Sequence, residues 1–461
     1  MTDLLQDAAR RSAAYLASLD GRAVFPPADA VANLARFDEP LPDQPTDPST
    51  ALSLLDEAGS PATVATAGKR YFGFVIGGAF PATLAANWLA GAWDQNAGMY
   101  AASPTASRIE SVAERWLVEL LGLPAGTTAG FVTGATMANF SGLAAARHAV
   151  LARAGWDAEA RGLFGAPEIR VITGDEVHVS VLKALGMLGL GRDRIERVPT
   201  DGQGRVRADL LPTLGCQPTI VCLQAGNVNT GAFDPADEIC AKARAANAWV
   251  HVDGAFGLWA AAAPSRAHLM AGYAAADSWA TDAHKWLNVP YDCGIVFVRQ
   301  AEPLRAAMSA SAAYLVREDG RRDNDDFTPE LSRRARGVEV WAALRFLGRQ
   351  GLADLVERCC SLAQRFAHGL EAGGCEILNE VVLNQVLVRF GNDEHTRATI
   401  ARVQEDGTCW AGGTTWHGKA AMRISVSSWR TTEADVDLSV GAILKAAGKA
   451  VEASKRRNVE A

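Results

Sequence analysis

Apolar residues recur along this chain with two periods. Short, nearly continuous apolar runs, "IRVITG" at 169–174, "TIVCLQAG" at 219–226, "WVHVDGAF" at 249–256 and "GIVFV" at 294–298, are bounded by glycine, proline or charged residues. Runs of that length, rich in valine and isoleucine, predict strands buried on both faces. Helical patterns such as "DEICAKARAANA" lie between them, and the alternation predicts βαβ units around a mostly parallel sheet. After "GVEVWAALRFLGRQG" the order becomes helix, strands ("VVLNQVLVRF"), helix, strand ("MRISVSS") and a final helix, which predicts a smaller α+β domain. Ahead of the alternating region, "FPPAD" and "PLPDQPTDPS" break up helical segments and predict an arm too thin to form a core of its own. The chain therefore reads as an N-terminal helical arm over 1–70, a large α/β domain over 71–330 and a C-terminal α+β domain over 331–461.

Composition narrows the function. A chain of 461 residues that is 49% hydrophobic can bury a large core in more than one globular part. Its net charge of −7 and the lack of a basic stripe argue against a nucleic-acid partner; the "SKRR" near the end reads as solvated. The opening "MTDLLQDAARRSAAYLASLDGR" is amphipathic and contains acids, unlike a signal peptide, and no membrane-length apolar run follows. The eight cysteines form neither a CxxC pair nor a zinc-like His/Cys cluster. The expectation is a soluble cytoplasmic protein in a reducing compartment, with no membrane association and no metal.

In an open parallel sheet, ligands gather at the carboxyl ends of the strands. Residues there include His178 after "RVITGDEV", Gly226-Asn227 after "IVCLQA" and Asp253 after "WVHV", with Lys285 shortly before "GIVFV". Each has a plain structural reading: Asp253 as a helix cap, His178 as a core histidine, Lys285 as a side chain reaching solvent. One cofactor needs all these residue types at once. Pyridoxal 5′-phosphate takes a lysine to hold it as a Schiff base, a carboxylate to keep its ring nitrogen protonated and a phosphate site. Asp253 suits the ring nitrogen, and His178 can stack on the ring. The turn opening "TGATMANFSGLAAAR" at 133–147, with the Thr136 hydroxyl, suits the phosphate, because free N–H groups and the helix dipole attract an anion.

On "AASPTASRIESVAERWLVELLGLP", "HVSVLKALGMLG", "GAFDP", "HVDGAFG" and above all "ADSWATDAHKWLN", the chain from about residue 70 resembles the group II pyridoxal-dependent decarboxylases, the aromatic amino acid, histidine and glutamate decarboxylase family, on a divergent bacterial-type branch. The resemblance implies the aspartate aminotransferase-like fold (fold type I). It implies Lys285 as the Schiff-base lysine, Asp253 as partner of the ring nitrogen and His178 as the stacking ring. Ala135, Thr136 and His284 would lie near the phosphate, and Asn227, Ala255 and Asp282 would complete the cofactor site. Tyr314, in the polar, Gly-containing run "SAAYLVREDGRRDNDD", matches the proton donor on a mobile loop. Arg423 in "MRISVSSWRTT" matches a position that holds a substrate carboxylate, against a plain salt bridge, and Phe74 in "RYFGFVIGG" matches a substrate-side aromatic, against core packing. A homodimer with its active site at the subunit interface is also implied. In this reading Lys285 lies in a dry setting that favours the uncharged, nucleophilic amine.

Two departures from the family pattern accompany these matches. "GNVNTG" replaces hydroxyls near the cofactor with Asn227 and Asn229, and Asp282 stands where relatives carry asparagine, unfavourable beside a phosphate unless it is paired or turned away. The expected reaction is decarboxylation of an L-amino acid to the amine and carbon dioxide. Transamination, aldehyde synthesis and carbon–carbon lysis would use the same Lys285, Asp253 and His178, and a non-catalytic binding protein on this fold is the remaining alternative.

Overall fold

The computed structural model describes residues 2–313, 315, 317–318 and 320–448. The chain forms two compact units that do not follow chain order. One comprises Gly77–Ser361 and Asn379–Gln385; the other comprises Met1–Ile76, Leu362–Leu378 and Val386–Ala461.

The first unit is built on seven strands: β1 (Thr128–Val132), β2 (Arg170–Gly174), β3 (Glu196–Val198), β4 (Thr219–Gln224), β5 (Trp249–Asp253), β6 (Ser278–Asp282) and β7 (Gly294–Val298), in the order β1-β7-β6-β5-β4-β2-β3. Neighbours from β6 through β3 pair in parallel, whereas β7 is antiparallel to both β1 and β6. Because β7 opposes both of its neighbours, β1 runs the same way as β6, and the carboxyl ends of six strands share one edge. The mostly parallel α/β sheet anticipated from the apolar runs is thus present. Three strands were not foreseen: β1, the short β3, and β6 with its polar "SWATD".

Every residue of β1, β4, β5, β6 and β7 is buried, as helices on both faces require. The helix Ala135–Arg153 supplies much of that cover. Its buried positions are mainly alanine, glycine and serine, small enough for close approach to the sheet, with Leu143 and Val150 in a shared core with Val171, Val296 and Val298. Leu143→Ala would leave a cavity costing about 2–5 kcal/mol.

The second unit holds β8 (Glu376–Ile377), β9 (Gln385–Arg389), β10 (Gly412–Trp416) and β11 (Lys419–Ser425) in the order β10-β11-β9-β8. Its helix Glu433–Ala446 starts with a reciprocal capping box between Thr432 and Asp435. The segment around residue 72 belongs with these C-terminal strands through backbone bonds, Phe72 N–H to Trp410 O (2.8 Å) and Ser425 N–H to Phe72 O (2.9 Å). The helix Thr2–Ser18 has no buried residue. Among the described residues, no helix is long and apolar enough to cross a membrane.

Candidate active site

Sheet register brings the candidate residues of the first unit together. Gln224, at the end of β4, pairs with Asp253, at the end of β5, and Asp253 pairs with Ala280 of β6. Val132 and Asp282, at the ends of β1 and β6, both pair with Gly294 of β7. The turn that opens the Ala135 helix therefore lies beside Asp282. Backbone bonds lace the segments beyond these ends: Ala225 N–H to Asp253 O, Gly254 N–H to Ala280 O and Asp282 N–H to Ala255 O, each 2.9 Å.

Asp253 is 5% exposed. Its Oδ1 accepts from Ala255 N–H (3.1 Å), and its Oδ2 from Asn139 Nδ2 (3.0 Å) and Ser180 Oγ (3.2 Å). Uncharged donors thus fix the orientation of a carboxylate that only accepts. His178, the N-cap of the helix Val179–Met187, receives the Ser180 N–H at Nδ1 (3.2 Å), and Ser180 Oγ lies 2.7 Å from the same nitrogen. Ser180 therefore links His178 to Asp253. Asn139 and Ser180 were not anticipated; their one sequence signal is a polar residue on the buried face of an apolar helix.

Lys285 departs from expectation. It does not sit in an apolar setting: its side chain is 17% exposed and Nζ lies 3.0 Å from Asp282 Oδ2. The other Asp282 oxygen accepts the Ala135 amide at 2.6 Å. Asp282 is thus paired at both oxygens. His284 Nδ1 accepts Cys293 N–H (3.1 Å), so the ring proton is on Nε2, 3.5 Å from Asp282 Oδ1. Burial pushes the His284 imidazole below its ordinary pKa, with Asp282 opposing, and the ring stacks on Tyr291 at 4.2 Å. The backbone packs so closely here that a side chain at Gly77 would run into the Lys285 carbonyl oxygen. Thr136 is part-buried in the first turn of its helix.

Asn227 is buried and organises its own loop, Oδ1 accepting from Asn229 N–H (2.9 Å) and Thr230 N–H (3.3 Å). Its Nδ2 finds no acceptor among the described residues. Phe74 and Arg423 lie in the second unit. Phe74 is 59% exposed at a left-handed φ of 53° and leans on Trp410 (5.6 Å), which stacks on Tyr71 at 5.0 Å. Arg423, on β11 opposite Gly412, is lowered in pKa by burial, with Tyr71 opposing. Tyr314 lies outside the described residues. The acidic end of its run is not a solvated lid: Asp323, Asn324, Asp325 and Asp326 are buried, and Arg317 reaches Asp325 (2.8 Å), Asp323 (3.1 Å) and Asp326 (3.4 Å).

The profile described as "Pyridoxal-dependent decarboxylase conserved domain" matches residues 62–390. The chain belongs to this family. Tryptophan decarboxylase 1 of Oryza sativa subsp. japonica is 28% identical over 400 residues, 78% of this chain and 77% of that protein. The aromatic-L-amino-acid decarboxylase of Bacillus atrophaeus is 28% identical over 367 residues, covering 77% and 74%. Among solved structures, Oryza sativa TDC with PLP and tryptamine superposes with a TM-score of 0.88 at 23% identity over 97% of both chains, and mouse CSAD with 0.88 at 22% over 97% and 98%. The fold is therefore that of the type I pyridoxal enzymes. The protein is a pyridoxal-dependent decarboxylase of amino acids, and pyridoxal 5′-phosphate is its cofactor.

The residues present fit that group. A lysine amine, a helix N-terminal amide, a carboxylate oriented by neutral donors and the unpartnered Asn227 Nδ2 all belong to the segments that follow the carboxyl ends of the strands.

Proposed function

We propose that Lys285 carries the cofactor, that Asp253 holds the proton of its ring nitrogen and that His178 stacks on its ring. In this reading Ala135, Thr136 and His284 receive the phosphate, while Asn227 Nδ2, Ala255 and Asp282 line the remaining cofactor site. The observation carrying the reading is the placement of Asp253 and Asp282 as the last residues of adjacent parallel strands, one fixed by neutral donors and the other paired with Lys285.

When bound, the cofactor supplies an aldehyde that captures the substrate amine and a ring that takes up the electron pair left by departing carbon dioxide. The chain's own residues do the rest. Asp282 Oδ2, 3.0 Å from Lys285 Nζ, is placed to take the proton that the lysine must lose to become a nucleophile. Asp253 keeps a negative charge at the ring nitrogen, so that the nitrogen stays protonated. Orientation then selects the bond: the residues that hold the substrate's carboxylate would decide which bond at the α-carbon breaks. Arg423 holds a substrate carboxylate, and Phe74, presented on Trp410 and Tyr71, faces the substrate's side chain. Tyr314 returns a proton to the α-carbon.

The protein works as a homodimer whose active site includes the subunit interface. Supporting this are the helix Thr2–Ser18, which has no fully buried residue, and the exposed Trp88, Leu89 and Trp93 on the helix Pro81–Trp93. A cytoplasmic location agrees with eight cysteines, all free thiols.

The testing experiment is product analysis on a panel of common L-amino acids. One or more should yield carbon dioxide and the matching amine in equal amounts. Assayed in air, Tyr314→Phe should keep carbon dioxide release while amine yield falls and dioxygen is consumed, with aldehyde, ammonia and peroxide in place of part of the amine. An unchanged amine yield removes Tyr314 from the reaction, and a wild type that converts a 2-oxo acid without releasing carbon dioxide overturns the assignment.

A further inference from the structure

Linked to Asp253 is a run of buried polar side chains that the chemistry above does not use. Trp249 Nε1 donates to Ser278 Oγ (2.9 Å); Ser278 Oγ is 2.8 Å from His251 Nδ1; His251 Nε2 is 2.9 Å from Asn139 Oδ1; and Asn139 Nδ2 donates to Asp253 Oδ2 (3.0 Å). His251, Asn139 and Ser278 are fully buried, so each of these groups needs its partner.

The directions follow from elementary valence. A carboxylate only accepts, so Asn139 must turn its NH2 toward Asp253 and its oxygen toward His251. That oxygen accepts, so His251 carries its proton on Nε2 and leaves Nδ1 as acceptor for the Ser278 hydroxyl. Ser278 in turn accepts from Trp249. Every proton in the row points one way, toward Asp253, and bonds aligned in this manner polarise one another. Burial pushes His251 down to about 4, with Asp253 opposing, so the imidazole is neutral at physiological pH and the row keeps a single direction. Helix packing reserves the space: a Cβ on Gly142, one turn beyond Asn139, would lie 2.7 Å from His251 Cε1.

We infer that His251 and Asn139 are positioning residues which, from within the core, lock the orientation of Asp253 and so hold the proton on the cofactor's ring nitrogen. This rests on the role proposed above for Asp253. Without the His251 donor, Asn139 Oδ1 is left buried without its partner, and the amide is fixed only through its NH2, which Asp253 Oδ2 (3.0 Å) shares with Ser180 Oγ (3.1 Å). The donor to Asp253 then loses its alignment, and one of the three bonds to the carboxylate weakens.

The test uses holoenzyme carrying cofactor labelled with ¹⁵N at the ring nitrogen. Asp253→Asn should move the ring-nitrogen resonance toward that of an unprotonated pyridine. His251→Leu should move it part of the same way and lower kcat roughly tenfold with little change in KM, as expected for weakening a hydrogen bond to a charged group. His251→Gln, whose amide can donate where Nε2 did, should restore both. If Asp253→Asn shifts the resonance and His251→Leu does not, the positioning role fails while the role of Asp253 stands; if Asp253→Asn leaves it unmoved, the underlying reading fails. Wild-type holoenzyme with ¹⁵N-histidine gives a readout independent of variant folding. His251 should appear as the neutral Nε2–H tautomer, and an Nδ1–H tautomer or an imidazolium overturns the inference.

Discussion

Asp253 and Asp282 are two buried carboxylates that end neighbouring strands of one sheet, yet they are held in opposite ways. Asp253 takes its bonds from Asn139, Ser180 and the Ala255 amide, uncharged groups of the scaffold. Asp282 takes its bonds from the Lys285 ammonium and the Ala135 amide, the two groups that the proposed cofactor site requires for the aldehyde and the phosphate. A carboxylate held by the scaffold keeps its charge and orientation through a reaction cycle. One held by the ligand's own partners satisfies them until the ligand arrives and must then give them up. The same residue type thus serves as a fixed electrostatic element in one strand and as a placeholder in the next.

The largest expected effect is at Lys285, the partner of Asp282. Lys285→Ala should reduce kcat by roughly 10⁴-fold or more, since it removes the nucleophile itself, and should abolish the visible absorbance of the holoenzyme; a yellow, active variant would break the comparison at its root. Next comes Asp253→Asn, nearly the same shape without the charge. Turnover should fall roughly 10²- to 10³-fold, the range seen for loss of one preorganised electrostatic group, while cofactor content by absorbance stays close to one per chain. Near-normal turnover would show that the fixed carboxylate is not needed.

Asp282→Asn should behave differently, with effects of opposite sign in the two states. Without cofactor, the variant loses its charge-assisted bond to Lys285 and should be about 1–3 kcal/mol less stable by calorimetry. With cofactor, a negative charge near the phosphate is gone, and the equilibrium dissociation constant from absorbance titration should drop by roughly tenfold. Reconstitution should nonetheless be slower, because the acceptor for the Lys285 proton is weaker. If apo stability and cofactor affinity fall together, Asp282 is a fixed element like Asp253.

Much of the sheet was legible because parallel strands covered on both faces must be apolar throughout, and "TIVCLQAG" and "WVHVDGAF" announce themselves that way. Strand β6 escaped notice because its Ser278 and Thr281 are buried polar residues whose partners come from elsewhere: Trp249 and His251 for the serine, the Gly254 carbonyl for the threonine. No local pattern reports such pairings. The antiparallel direction of β7 was hidden for the same reason, since direction is a property of connection and not of composition. Lys285, Asp253 and His178 could be found as chemistry-bearing residues beyond strand ends. The pairing of Lys285 with Asp282 could not, because it depends on how the turn after β6 folds back toward the Ala135 helix. The end of the polar run misled in the opposite sense, its composition reading as a mobile loop although Arg317 pairs with the buried Asp323, Asp325 and Asp326.

The central claim is that Lys285 carries the cofactor, and borohydride reduction of the holoenzyme followed by peptide mapping tests it most directly. Reduction should fix one phosphopyridoxyl group per chain on the peptide containing Lys285 and leave other lysines unmodified, with Asp253→Asn giving the same map. A group fixed on another lysine, or none fixed on a fully active enzyme, would contradict the account.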